Sequence, residues 1–378
     1  LNTLLAPALG FSSITTTAFL PMILLIGKES IINKMHYTLK RNEHAILILL
    51  FSLIVIIFKI IIEQDYFKYV LCLVIMPTLI SIYFENCCER KISALRKIIF
   101  LFFTAECLIA IYERYTFTYV LYTIKDIDLD NIGENWGFRS AALLGHPLTN
   151  GMAVAVIMAF IVVSSIDLKI KLFFVILGYI SLFCFNARGA TIVVTFLVIP
   201  SLFVKMYKNR ETYKNTLIVT ASILITCISY SIFTTDWGGR LVNSERLIDG
   251  SAMTRLAAFS FYKFISVQDL LFGNIDNYLF LTRKLQAAGV ENGLIVLMIN
   301  FGVVLSLPLI FVLFRFHYNK LKVYKKKDRN IVLAVFYIIG LMNPNLSDPL
   351  QWTLFTFSYY AFRITSQENR YTIEHKVV

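Results

Sequence analysis

The sequence predicts an all-α fold, a polytopic transmembrane helix bundle of about eleven spans, and three observations carry that prediction. The 378 residues are 57% hydrophobic and 16% charged, against the roughly 25% charge typical of a water-facing domain. Apolar runs of membrane-crossing length recur along the whole chain. Cations gather in alternate short segments between those runs, as orientation signals do.

The runs fall near 4–26, 44–62, 67–84, 98–112, 147–166, 171–187, 189–204, 216–233, 291–314, 331–344 and 348–363. Inside hydrocarbon every backbone N–H and C=O must be bonded within the protein. Uninterrupted apolar stretches meet that demand as helices, whereas a barrel strand would alternate polar and apolar residues. The chain therefore reads as one integral membrane domain over 1–378.

Charge assigns the sides. One set of loops, including 28–41, 90–97, 205–214, the basic segment 315–330 and the tail, carries twenty-four Lys and Arg; the alternate set carries eleven. The richer set belongs in the cytoplasm. Two large segments, 113–146 and 234–290, then face outward. Counting back puts Leu1 outside as well, which calls for a twelfth helix upstream or an unusual start. No charged stretch precedes the apolar opening, so it reads as a span and not as a cleaved signal peptide. The net charge of +12 follows this loop pattern and does not point to nucleic acid. Four of the six cysteines lie in apolar runs, and their spacing suggests neither a disulfide framework nor a metal site.

The outward cations differ in kind. Seven of the eleven are Arg, whereas sixteen of the twenty-four cytoplasmic ones are Lys. Topology can use either residue, but bidentate recognition of phosphate favours the planar guanidinium. Arg placed where positive charge is disfavoured suggests an anion site.

Four constellations carry candidate chemistry. In 137–150, Arg139 leads to Gly145, His146, Pro147 and Asn150 at the entry to a run. Pro147 suits the first helical turn, and His146 either caps that helix or faces substrate. In 186–190, Arg188 sits at a membrane boundary, where it either snorkels to headgroups or meets an anionic partner. The segment 234–290 holds Arg240, Arg246 and Arg255, an apolar pattern over 252–265 that predicts an amphipathic helix, and Leu271, Phe272, Gly273 and Asn274. The fourth opens on Glu291 and Asn292 and runs to Gly302. Glu291 is either an acid favoured by the helix dipole or a reacting carboxylate. Glu106 within a run and the polar turn 343–349 are secondary candidates, whereas the adjacent Glu113 and Arg114 read as a local structural pair.

Taken in order and sidedness, these four elements resemble the O-antigen ligase and polymerase superfamily, which includes exopolysaccharide polymerases. The pattern is an Arg followed by Gly-His-Pro-x-x-Asn, an Arg-Gly-Ala at the next outer turn, a long outer loop with Arg and an apolar-Phe-Gly segment, and a closing His-Asn-x-x-Leu-(six residues)-Gly. Here Glu291 stands where the family has His, Ile295 holds the Leu position and Gly302 the final Gly. The motif support covers about 139–302.

The resemblance implies a glycosyltransferase-C-like membrane enzyme that needs no metal or other cofactor and uses an undecaprenyl-diphosphate-linked glycan. Arg188 and Arg255 would grip the donor diphosphate and Glu291 would orient or deprotonate the acceptor hydroxyl. Arg139, His146, Asn150, Asn292 and Arg240 would bind substrate. Membrane lipid and a chain-length regulator are the implied partners, and a bacterial cytoplasmic membrane the implied location. Glu291 in place of His argues against ligase chemistry more than against polymerisation. A secondary transporter or lipid flippase is the reading from another class; transporters favour internal repeats and midplane ions, and the charges here concentrate in loops.

Overall fold

A computed structural model of the chain describes residues 71–85, 87–121, 138–208, 258–274, 276–284, 290 and 292–363, with a few positions between 50 and 57. Among these residues the fold is all-α, with no strand. The runs near 4–26 and 216–233 lie outside the described residues.

Each apolar run within the described residues is helical. A π-helical turn, Leu71–Ile75, leads into α1, Met76–Glu85. Next come α2, Glu89–Thr116, α3, Pro147–Val163, and α4, Leu168–Cys184. Helix α5, Arg188–Val193, continues through the π-helical turn Val194–Val198 into α6, Ile199–Lys208. Short helices α7, Val267–Phe272, and α8, Asp276–Lys284, precede the long α9, Gly293–Lys320. The chain closes with α10, Lys326–Met342, and α11, Pro349–Phe362. Two stretches, Arg188–Tyr207 and Gly293–Val323, are long and apolar enough to cross a membrane.

Helix α3 is the hub. It is apolar around its whole circumference, as a fully enclosed helix must be, and all its residues but Leu148 are buried. Helices α4, α10 and α11 pack around it. Small residues set the close approaches: a Cβ on Gly178 of α4 would lie 2.7 Å from Phe103 Cζ of α2, and one on Gly151 of α3 would lie 2.6 Å from Ala187 Cβ. Where no hydrophobic force pulls helices together, such approaches supply dispersion contact instead.

Two segments named from sequence are more helical than expected. Helix α2 runs to Thr116, so 113–146 opens inside a helix, with Glu113 and Arg114 buried. The basic segment 315–330 is mostly the end of α9 and the start of α10, joined through the 3-10 turn Leu321–Val323. Of the expected amphipathic helix 252–265, only 258–265 is described; it contains the 3-10 turn Phe261–Lys263 and buries Ala258 and Phe261. These two join Leu281, Val290, Ile295, Val296 and Ile299 in a small second core over the start of α9.

Helix α9 is broken. Gly302 takes φ 70° and ψ 168°, which no helix accommodates, so 293–301 and 303–320 are two helices in sequence. The break is filled by backbone. Asn274 N donates to Ile299 O at 2.8 Å, and Gly273, at φ 77°, lies against the main chain of Asn300, Phe301 and Gly302.

The bundle has two chemically different ends. At the basic end, cations close helix C-termini, where the dipole and the spare carbonyls favour positive charge. Lys171 Nζ donates to Val162 O and Ser164 O, Lys205 Nζ to Val162 O at 3.1 Å, and Arg96 Nε to Ala361 O at 2.7 Å. Lys205 also pairs with Asp328 at 2.9 Å, and Lys320 with Glu85 at 2.7 Å. The opposite end is built from turns between helix C-termini and the N-termini that follow them, and the described candidate residues collect there.

Candidate functional site

The 138–146 loop is bound to α2 and α4 residue by residue. Ser140 N donates to Cys184 O at 3.0 Å and Ser140 Oγ to Ala110 O at 2.8 Å. Glu113 Oε2 accepts from Ala141 N at 2.8 Å and Ala142 N at 3.0 Å, while Oε1 accepts from Val120 N at 3.0 Å. Two turns earlier on the same face of α2, Glu106 Oε2 accepts from Leu143 N at 3.0 Å. Arg114 Nη1 donates to Phe138 O. Both carboxylates are wholly buried, a placement that is costly unless hydrogen bonds answer the charge.

This anchoring presents Arg139 to the neighbouring turn. Its Nε donates to Phe185 O at 3.4 Å, three residues before Arg188, which is the first residue of α5. The turn between them is sharp, with Asn186 at φ 50°. Tyr119 lies beside the same corner: burial pushes its phenol upward, the Glu113 charge adds to that, and Arg139 opposes it. Arg139 and Arg188 are both half-buried.

The 343–348 turn then links the remaining motifs. Asn345 Nδ2 donates to Leu148 O at 2.8 Å, Thr149 Oγ1 to Asn345 Oδ1 at 3.4 Å, and Gln351 Nε2 to Thr149 O at 3.0 Å. A Cβ on Gly293 would lie 2.5 Å from Gly340 O and 2.9 Å from Asn343 O, and one on Gly189 would lie 3.2 Å from Met342 Cε. One turn thus touches the histidine motif, the Arg188 turn and the start of α9. The fourth element joins through backbone, because Gly273 of the Phe-Gly segment interlocks with Gly302 of the closing motif. Four segments separated by up to about 160 residues meet at one end of the bundle.

Individual placements sharpen several alternatives. His146 is exposed and occupies the N-cap of α3 without a side-chain capping bond, so capping is not its task. Asn150 is buried and donates its amide to Ala141 O, which holds the loop from below. Asn292 is half-buried and caps α9, its Oδ1 accepting from Leu294 N and Ile295 N at 3.1 Å. Glu291, Arg240 and Arg255 lie outside the described residues. Among the described residues no three His, Cys, Asp or Glu side chains come together to hold a metal ion.

The linking roles of Asn345 and Gln351, and the grip of Glu106 and Glu113 on the loop, are tertiary. The only sequence signals for them are two acids within or beside an apolar run and a polar cluster between two runs.

The chemistry open to this end is anion recognition. The Arg139 guanidinium reaches the turn that precedes Arg188, and the Tyr119 phenol lies within its electrostatic influence. No protein-family model matches the chain, and searches of curated proteins and of solved structures return no match either.

Proposed function

We propose that this chain is a membrane glycosyltransferase that polymerises undecaprenyl-diphosphate-linked oligosaccharide repeat units on the outer face of a bacterial cytoplasmic membrane. In this reading the basic end faces the cytoplasm, the described helices α1–α4, the continuous α5–α6 pair and α9–α11 cross or enter the bilayer, and the turn-rich end is the reaction face. The observation that carries the reading is the Arg139–Phe185 bond, which ties the Arg139 loop to the turn three residues ahead of Arg188.

A lipid diphosphate must be held at the membrane margin while its sugar lies in water. Fixed guanidinium groups at that margin neutralise the charge that grows on the leaving diphosphate as the glycosidic bond breaks. Arg139 and Arg188 take that role, joined by Arg255. His146 lies close in sequence and on the same face, suited to hydrogen bonding to sugar or phosphate. Glu291 orients the acceptor hydroxyl and receives its proton as the oxygen attacks the anomeric carbon. Asn292, one residue on, fixes the start of α9.

The test is glycan length in cells that depend on this chain for their surface polymer. Arg188→Ala, Arg139→Ala and Glu291→Gln, each expressed at wild-type level, should leave single repeat units on the lipid carrier. Full-length lipid-linked polymer instead would indicate a ligase that transfers finished glycan. Wild-type polymer from all three variants would defeat the reading.

A further inference from the structure

We propose that Glu113 and Glu106 are positioning residues that hold the 138–146 loop, and so Arg139 and His146, in the conformation that receives substrate. The inference rests on the reading of that loop as part of the donor site, and it adds residues that the motif pattern does not contain.

Three successive backbone N–H groups, from Ala141, Ala142 and Leu143, all point at carboxylate oxygens of α2 at 2.8 to 3.0 Å. Left in a surface loop, those donors would be satisfied by water at no cost. Here the chain instead buries two acids completely to receive them, an expense that a connecting loop alone does not require. The bonds also maintain backbone that would otherwise relax. Ala142 has φ 39°, and Gly145, just before His146, has φ 75°; the left-handed region is disfavoured for an alanine because its Cβ crowds the carbonyl oxygen. Phe138 is held through Arg114, Ser140 through Ala110 and Cys184, and Ala141 again through Asn150. Between these fixed points the Arg139 side chain donates to Phe185 O, at the turn that leads to Arg188.

Glu106 separates a positioning role from a proton-transfer role. Only its Oε2 bonds to the loop; Oε1 has no hydrogen-bond partner among the described residues. Glutamine at 106 retains the acceptor for Leu143 N and abolishes ionisation. Leucine fills the same volume and removes the acceptor.

The experiment uses the full chain in its own membrane and two readouts. One is surface glycan length; the other is the rate at which a membrane-impermeant maleimide labels Leu144→Cys in intact cells, with the unsubstituted chain as background. E106Q should stay within about twofold of the parent in both. E106L and E113A should cut polymer at least about tenfold, the loss expected when buried backbone donors are left without an acceptor, and raise labelling several-fold at unchanged protein level. Should E113A fail to accumulate, E113Q, whose amide N–H₂ cannot accept from Val120 N, takes its place with a smaller change in the same direction. Equal damage from E106Q and E106L would overturn the positioning role in favour of proton transfer, and unaltered labelling in both E106L and the Glu113 variant would overturn the clamp. If the parent chain makes no lipid-linked polymer, the glycosyltransferase reading falls, and the labelling still decides whether the carboxylates hold the loop.

Discussion

Replacing Gly302 by alanine tests the broken helix directly. Gly302 sits at φ 70° and ψ 168°, a region essentially reserved for glycine, and forcing another residue there costs about 1–3 kcal/mol. A Cβ would also collide with main-chain atoms of Leu271 and Phe272. Those atoms belong to a backbone segment and cannot rotate aside, so overpacking adds about 1–3 kcal/mol. The two terms together give roughly 4 kcal/mol. The loss should be local, because the segment around Gly273 belongs with the small second core and not with the cluster around α3. The assay is hydrogen exchange in detergent at the Asn274 amide, which donates to Ile299 O. A local loss of that size speeds exchange by a factor on the order of a thousand, whereas amides in the middle of α3 should hold their rates. Gly178→Ala is the control. Its added Cβ meets Met158 Sδ and Phe103 Cζ, the ends of side chains, so it should disturb the α2–α3–α4 contact and leave Asn274 alone. Unchanged exchange at Asn274 in Gly302→Ala would refute the argument.

Three further outcomes are expected. Asn345→Ala removes the donor to Leu148 O and the acceptor for Thr149 Oγ1; it should cost about 1–3 kcal/mol, read as a lower midpoint of thermal unfolding in detergent, while Asn343→Ala is the milder comparison. Asn292→Ala should lose about 1 kcal/mol by uncapping α9 whereas Asn292→Asp retains the cap; if Asp nonetheless abolishes polymer, the side chain serves substrate as well as helix. Acid should loosen the basic end. At Glu85 burial pushes the carboxyl up, but the Lys320 ammonium, the bonds from Lys320 and Tyr360 and the Arg363 charge outweigh it, leaving the value below the usual 4.5. With the folded value depressed, the stabilisation is present above 4.5 and disappears as pH falls through the lower folded value. Glu85→Gln should therefore flatten the acid limb of a melting-temperature profile between about pH 5 and 3, and an unchanged limb would remove Glu85 from the account.

The residues differ in how far they could be read in advance. The helices were legible because apolar runs bounded by charge leave the backbone no other way to bond itself in an apolar medium. Pro147 marked a helix start by local chemistry alone, since an N-terminal proline acts within one turn of chain; Asn292 was expected to bind substrate, and the structure adds that its Oδ1 caps α9. Helix ends were less legible. Helix α2 carries Glu113 and Arg114 in its last turn, and nothing local reveals that both are buried by a loop more than twenty residues away. The same holds for Gly273 and Gly302. Each reads as a tolerant position in its own segment, and the reason for glycine is the main chain of the other segment. Asn150 was expected to face sugar, yet its amide is directed inward to Ala141 O.

What the sequence by itself determined is therefore what short-range chemistry and the solvent impose: a helical fold among the described residues, the runs that become helices there, and a concentration of Lys in one set of loops that leaves Arg the majority cation in the other. Only the tertiary structure decided which distant groups share a corner. It set Arg139 beside the turn that starts α5, gave Glu106 and Glu113 the amides of one loop, and closed the break in α9 with the backbone of 271–274. Those pairings depend on distances of a few ångströms between segments tens of residues apart, and no periodicity along the chain encodes them.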